Sequence, residues 1–172
     1  MYARAHPAGR PTMTMRALAV MMVSIAAAAL LAACGSGPVR RVSEPAARIQ
    51  QLTVGADGRW SIDLRIENYS SVPMRFERVS LALEVAGQEA GTLDGAPAVG
   101  IGPESADVVT LALSPSTEAK IAVADALASG RSVAYRLQGR VDAIPEDRKL
   151  RSFDIERSSA LNPAPGLPGV MR

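Results

Sequence analysis

Hydrophobic and polar residues alternate most clearly over residues 60–67. Every second position there is large and apolar: Trp60, Ile62, Leu64 and Ile66. The positions between them hold one serine and three charged residues. Successive side chains of a strand point to opposite faces, so this pattern predicts a strand with one buried and one wet face. Residues 68–73 are expected to form the turn that follows it.

The same period of two recurs along the chain and predicts further strands. They cover residues 49–54, 79–85, 109–113, 133–141 and 153–155. Phe76 is out of phase with the apolar positions that follow it, so we expect a bulge or bend near Glu77 and Arg78. The fourth of these strands contains Gly139.

One segment, residues 117–129, has the spacing of a helix instead. Ile121, Ala124, Leu127 and Ala128 recur there at helical intervals. Ser116 and its neighbours can cap the start of this helix, and Gly130 can end it. Several short strands joined by turns, with one short connecting helix, indicate a mainly β protein built as an antiparallel sandwich.

The N-terminal region has the pattern of an export signal. Arg16 precedes an uncharged, mostly apolar run over residues 17–33, which ends in Leu31-Ala32-Ala33-Cys34. A positive segment, an apolar run and small residues before a cleavage site are typical of secretory signals. The last four residues resemble a bacterial lipobox, so we expect cleavage between Ala33 and Cys34 and lipidation of the Cys34 thiol. A membrane-spanning anchor and ordinary secretion are the alternatives.

Composition divides the chain into four parts. Residues 1–33 are the predicted lipoprotein signal peptide, and residues 34–45 are a flexible tether that begins with the lipidated cysteine. Residues 46–158 form the predicted sandwich domain. The segment at 159–172 is rich in proline and glycine and is therefore predicted to be a disordered tail.

Charge and rare residues exclude several functions. Without the three arginines of residues 1–33, the 19 basic side chains fall to 16 against 17 acidic ones, so the mature chain lacks the basic surplus typical of nucleic-acid binding. The only histidine is His6 and the only cysteine is Cys34. The mature chain therefore has no imidazole for a Ser-His-Asp triad and no free thiolate or imidazole for a metal. We expect no catalytic residue, no metal and no cofactor.

Two residue groups have both a chemical and a structural interpretation. Asp142, Glu146 and Asp147 could bind calcium, but two basic residues follow at once and a solvated turn fits better. Trp60 and Tyr135 could line an apolar pocket, although aromatic residues in the strands of a small sandwich usually belong to the core. Tyr69, in the predicted turn, is expected to be exposed.

Residues 62–93 resemble the water-stress and hypersensitive-response domain of the group 2 late embryogenesis abundant proteins. In that family an alternating strand ends in an Asn-Pro-Asn turn, and a hydrophobic strand and a glycine-containing hairpin follow. Asn68 matches the first asparagine of the turn, whereas Tyr69 and Ser70 replace the proline and the second asparagine. The resemblance extends over about residues 46–158. It implies an immunoglobulin- or fibronectin III-like sandwich of about seven strands, an association with desiccation and other stress, and no catalytic residues.

Together these features predict a non-catalytic envelope lipoprotein that acts by binding a protein or a membrane surface. An acidic residue directly after the lipidated cysteine resembles an inner-membrane retention signal, and this position holds Gly35 instead. In a host with two membranes, the sequence therefore favours the outer membrane, facing the periplasm. The lipid would hold the protein at the membrane, because two or three acyl chains anchor stably. The alternative is a carrier or accessory module that binds a lipid or another apolar ligand between its sheets.

Lipidation can be tested at a single atom. The substitution Cys34→Ser should abolish incorporation of a tagged fatty acid, because a serine hydroxyl is not alkylated in place of the thiol. Ser36→Ala is the matched control and should be labelled like the natural chain. Label retained on the Cys34→Ser chain in metabolic labelling would contradict the lipoprotein assignment.

Overall fold

The computed structural model describes residues 40–146 and 148–172. The predicted signal peptide, its predicted cleavage site at Ala33 and Cys34, the thiol expected to carry lipid and Asp147 lie outside these residues. The described strands are β1 (Ala46–Val54), β2 (Trp60–Asn68), β3 (Met74–Val85), β4 (Gln88–Gly95), β5 (Val99–Ile101), β6 (Ser105–Leu113), β7 (Val133–Pro145), β8 (Arg151–Leu161) and β9 (Val170–Met171). Helix α1 (Thr117–Ala128) connects β6 to β7, and among the described residues no helix is long and apolar enough to cross a membrane.

The strands form two antiparallel sheets, which confirms the predicted sandwich. The first sheet has the order β6-β2-β1-β9, and the second has the order β4-β3-β7-β8, with β5 also paired to β3. The described residues contain nine strands rather than about seven. The alternation predicted six of these strands and missed β4, β5 and β9. Strand β4 has only two buried apolar residues, Ala90 and Leu93, and strands of three and two residues are too short to show alternation.

Strand β2 has the faces that its alternation predicts. Trp60, Ile62, Leu64 and Ile66 are all buried in the core between the sheets. The bulge expected near Glu77 and Arg78 is also confirmed, because the register of β3 against β7 shifts between Phe76 and Arg78. The bulge allows Phe76 and Val79, which are three residues apart, both to be buried.

Helix α1 begins and ends as predicted but buries a different face. The Ser116 hydroxyl accepts from the backbone N–H of Ala119, and Gly130 follows the helix with a positive φ of 64°. The buried residues of the helix are Ala119, Val123 and Ala126, whereas Ile121 is 65% exposed. The small side chains of the buried face let the helix approach the sheet closely. Both faces of the helix carry apolar residues, so the spacing of these residues did not indicate which face would pack against the sheet.

The prediction of a disordered tail at 159–172 is wrong. Strand β8 continues to Leu161, and the chain then turns back so that Asn162 and Arg172 exchange backbone hydrogen bonds of 2.6 and 2.8 Å. Strand β9 pairs with Leu52 and Thr53 of β1, and Met171 is completely buried. The proline- and glycine-rich segment therefore forms a turn between two paired segments, and burial of Met171 favours its order.

Close approach of β3 and β7 requires glycine at position 139. A Cβ atom there would overlap the carbonyl oxygen of Ser80 and lie 3.0 Å from the Cα of Leu81. We expect Gly139→Ala to lower the free energy of unfolding by about 2–3 kcal/mol, because the two central strands of the second sheet must separate. Gly100→Ala is the control, since a Cβ atom there meets nothing within 4 Å. Equal urea midpoints for the two variants would contradict this explanation.

Candidate functional site

The side chain of Asn68 is completely buried at the end of β2. Its amide nitrogen donates to the carbonyl oxygens of Val72 at 2.9 Å, Ile101 at 3.1 Å and Gly102 at 2.8 Å. Its amide oxygen accepts from the backbone N–H of Ser70 at 2.9 Å. One side chain therefore joins the turn after β2 to the end of β5 and the loop that follows it, and it satisfies the carbonyl groups of the buried residues Val72 and Ile101.

Ser70 extends this network to the chain that enters the sandwich. Its hydroxyl accepts from the backbone N–H of Ser43 at 3.0 Å. Arg41 and Ser71 pair as well: Arg41 N–H donates to the Ser71 hydroxyl at 2.8 Å, and Ser71 N–H donates to the Arg41 carbonyl at 3.0 Å. The prediction of a flexible tether is therefore wrong for its described part, residues 40–45, because hydrogen bonds across the chain hold this segment.

Charged side chains surround this turn on the outer face of the first sheet. The Tyr69 hydroxyl donates to Glu67 at 2.6 Å, and the Arg65 guanidinium donates to the same carboxylate at 3.1 Å. The hydrogen bond from Tyr69, more than the nearby Arg65 and Arg48, holds the pKa of Glu67 below its ordinary value of 4.5, against the opposing effect of burial. The ionised Glu67 carboxylate therefore stabilises the folded state. This contribution to the free energy of unfolding is complete above pH 4.5 and is lost as the pH falls through the lowered pKa of Glu67.

Tyr69 is 51% exposed, which confirms its expected position. An open depression of about 330 Å³ lies beside it. The depression is lined by Arg41, Arg65, Glu67, Asn68, Tyr69, Glu104, Ser105 and Ala106. The Ser105 hydroxyl donates to the carbonyl of Gly102 at 2.9 Å, and the phenol is bonded to a carboxylate. The depression therefore suits contact with a polar or charged surface group.

The calcium interpretation finds no support in the described residues. Glu146 accepts from the Arg40 guanidinium at 2.9 Å, and Asp142 accepts from the Ser152 hydroxyl at 2.6 Å. Asp147 lies outside the described residues. Within residues 40–146 and 148–172, no three His, Cys, Asp or Glu side chains are placed to hold a metal ion together.

The two aromatic residues considered for an apolar pocket are part of the core. Trp60 and Tyr135 are both buried. The Tyr135 hydroxyl accepts from the backbone N–H of Ile49 at 3.2 Å, which joins β7 of one sheet to β1 of the other at the bulge in β1. These side chains fill space and connect the sheets.

Sequence reasoning singled out Asn68 but missed its partners. Ser70 stands where the family has its second asparagine, and its buried hydroxyl bonds with the entering chain. The bond between Tyr69 and Glu67 was also missed. The only signal for these contacts was that the residues lie close together in an expected turn.

Comparison with known proteins identifies a family. The family profile described as late embryogenesis abundant protein matches residues 63–157. A crystal structure of a protein from Archaeoglobus fulgidus is 18% identical with a TM-score of 0.40, and covers 72% of this chain and 98% of that one. A solution structure from Arabidopsis thaliana is 12% identical with a TM-score of 0.48, and covers 75% of this chain and 84% of that one. No curated protein matches at a significant level.

The two asparagines of the chain provide a matched test of the buried network. Asn68→Leu removes an amide that bonds with three carbonyl oxygens, so the free energy of unfolding should fall by about 2–4 kcal/mol. Asn162→Leu changes an exposed asparagine in the same way and should cost less than about 0.5 kcal/mol. Urea denaturation measures both. A loss for Asn68→Leu no larger than that of the control would show that the network is not required.

Proposed function

The chain belongs to the late embryogenesis abundant protein family, and we propose that it is a non-catalytic lipoprotein of the cell envelope with a stress-associated domain. Its sandwich domain acts by binding a protein or a membrane surface when water is lost. The family match carries the stress-associated part of the proposal, because the matched residues 63–157 run from β2 to β8 and include strands of both sheets.

The chemistry of the mature chain supports a non-catalytic role. The only histidine of the sequence, His6, lies within the predicted signal, and the only lysines are Lys120 and Lys149. Neither lysine stands in a Ser-x-x-Lys arrangement, so a histidine-free serine nucleophile has no evident base. The hydroxyl groups around the depression at Tyr69 are bonded to a carboxylate or a backbone carbonyl.

The sequence before the domain supports the envelope location. Leu31-Ala32-Ala33-Cys34 resembles a lipobox, and Gly35 favours the outer membrane, facing the periplasm. The membrane, through the lipid on Cys34, is then one partner, and an envelope protein is a second candidate. The near-neutral mature chain is not suited to nucleic acid.

The exposed face of the second sheet suits reversible contact with another surface. Arg136 donates to Glu156 at 2.5 Å and Arg140 donates to Asp154 at 3.2 Å, between neighbouring strands β7 and β8. Exposed ion pairs contribute little to stability, so these charges can exchange their partners for those of a dehydrating protein. The mature chain is nearly neutral, so charge repulsion alone cannot keep a dehydrating protein from aggregating, and specific contacts are needed.

A drying assay tests the stress role. A soluble chain of residues 35–172 should preserve the activity of a labile enzyme through drying or freezing better than an inert protein of equal size and charge. The inert protein is essential because any solute protects somewhat by crowding. Equal recovery of enzyme activity with the two proteins would remove the support for a stress role.

A charge-neutral variant shows whether the second sheet makes the contact. The variant replaces Arg136, Arg140 and Glu156 by glutamine and Asp154 by asparagine. It removes two charges of each sign and keeps the net charge. Protection should fall, while the free energy of unfolding changes by less than about 1 kcal/mol. Protection at the original level would place the contact elsewhere on the domain.

A further inference from the structure

Four segments meet where the chain enters the sandwich, and we call this region the tether end. It comprises residues 40–45, 69–73, 102–104, and 146 with 148–151. Glu146 N–H donates to the Pro73 carbonyl at 2.9 Å, and Glu104 N–H donates to the Ser70 carbonyl at 3.1 Å. These bonds and the ion pair between Arg40 and Glu146 hold the segments together.

The tether end exposes two large hydrophobic side chains. Tyr69 is 51% exposed and Leu150 is 55% exposed. The other large hydrophobic residues exposed among the described residues are Ile121 and Leu167, at the opposite end of the sandwich near helix α1 and the turn before β9. Exposure alone therefore does not distinguish the two ends.

The charges around these residues do distinguish the ends. Leu150 lies between Lys149 and Arg151, with Arg148 one position earlier, and all three cations are exposed. Two acids precede these cations in the sequence: Glu146 is paired with Arg40, and Asp147 lies outside the described residues, so the loop over residues 146–151 keeps one more cation than it has acids. At the opposite end, Ile121 has a single cation beside it, Lys120, and Leu167 lies between glycine and proline, so only Leu150 has cations on both sides. An apolar side chain among cations matches the combination of acyl chains and anionic headgroups at a membrane surface.

The length of the tether favours a membrane over a protein as the occupant of this surface. Six residue steps separate Cys34 from Arg40, so the connection spans at most about 22 Å when fully extended. If Cys34 carries lipid, the tether end is the part of the domain that the anchor keeps nearest the bilayer. The phenol of Tyr69 suits the same boundary, where tyrosine presents an apolar ring and a polar hydroxyl.

We infer that the tether end is a docking surface for an anionic lipid bilayer. Leu150 and Tyr69 enter the boundary between headgroups and acyl chains, and Arg148, Lys149 and Arg151 contact anionic headgroups. The inference rests on the proposed lipid anchor and adds an orientation to it. The tether end contacts the membrane, the charged face of β7 and β8 points sideways and stays open to other proteins, and helix α1 lies farthest from the membrane.

Spin labels can measure this orientation. In the lipidated protein the thiol of Cys34 is consumed, so a cysteine introduced as Leu150→Cys or Ile121→Cys is the only free thiol. Each variant would carry a nitroxide and be reconstituted in vesicles of phosphatidylethanolamine and phosphatidylglycerol. Relative to the label at 121, the label at 150 should show a higher ratio of collisions with oxygen, which concentrates in lipid, to collisions with a water-soluble nickel chelate.

Two outcomes would overturn the inference in distinguishable ways. If mass spectrometry shows no lipid on Cys34, both the lipoprotein proposal and the docking surface fail. If Cys34 carries lipid but the label at 150 is as accessible to nickel as the label at 121, only the docking surface fails. The second result would leave the tether end as a contact for a protein.

The contribution of charge has its own matched control. Replacing Arg148, Lys149 and Arg151 by glutamine should raise the nickel accessibility of the label at 150. Replacing three exposed cations at the opposite end, Arg59, Lys120 and Arg131, should leave it unchanged. Vesicles of phosphatidylcholine alone should reproduce the effect of the first set. Equal effects of the two sets would contradict headgroup recognition by the tether end.

Discussion

The buried amide of Asn68 holds three carbonyl oxygens from two loops at one end of the sandwich. Two of these carbonyl groups belong to the buried residues Val72 and Ile101, and a buried carbonyl without a donor costs more free energy than an ordinary hydrogen bond contributes. The turn after β2 therefore has little freedom to change its shape while the core stays closed. The position of Ser70, and through it the course of the entering chain at Ser43, depends on this turn.

This constraint also explains how an ordinary sandwich can present a defined surface. The turn that Asn68 closes projects Tyr69 outward, while Ser70 is buried inside the same turn. The loop between β7 and β8 is bonded to the end of the turn through Pro73, and the entering chain is paired with that loop through Arg40. If Cys34 carries the proposed lipid, the anchor connects to an end of the domain that hydrogen bonds and an ion pair hold in one arrangement. The fold then determines which end of the domain faces the membrane.

Alternation along β2 and β3 allowed much of the fold to be predicted. A strand with one buried face needs an apolar residue at every second position, so Ile62, Leu64 and the bulge after Phe76 were all visible in the sequence. The family resemblance, confirmed by the match over residues 63–157, singled out Asn68 but said nothing of its three partners. Those partners are 4, 33 and 34 positions away along the chain, and no local pattern marks a carbonyl oxygen that needs a donor.

The sequence by itself determined the sandwich class, the buried faces of its long strands, the ends of the helix and the family, because each depends on neighbouring residues. Tertiary structure decided which face of helix α1 is buried, since Val123 and Ile121 are both apolar and only the shape of the sheet selects between them. It also ordered the C-terminal segment, whose glycines and prolines indicate flexibility until the edge of β1 offers partners to β9. Local rules failed there because the free energy that orders the segment comes from burying Met171 in a core assembled from distant parts of the chain.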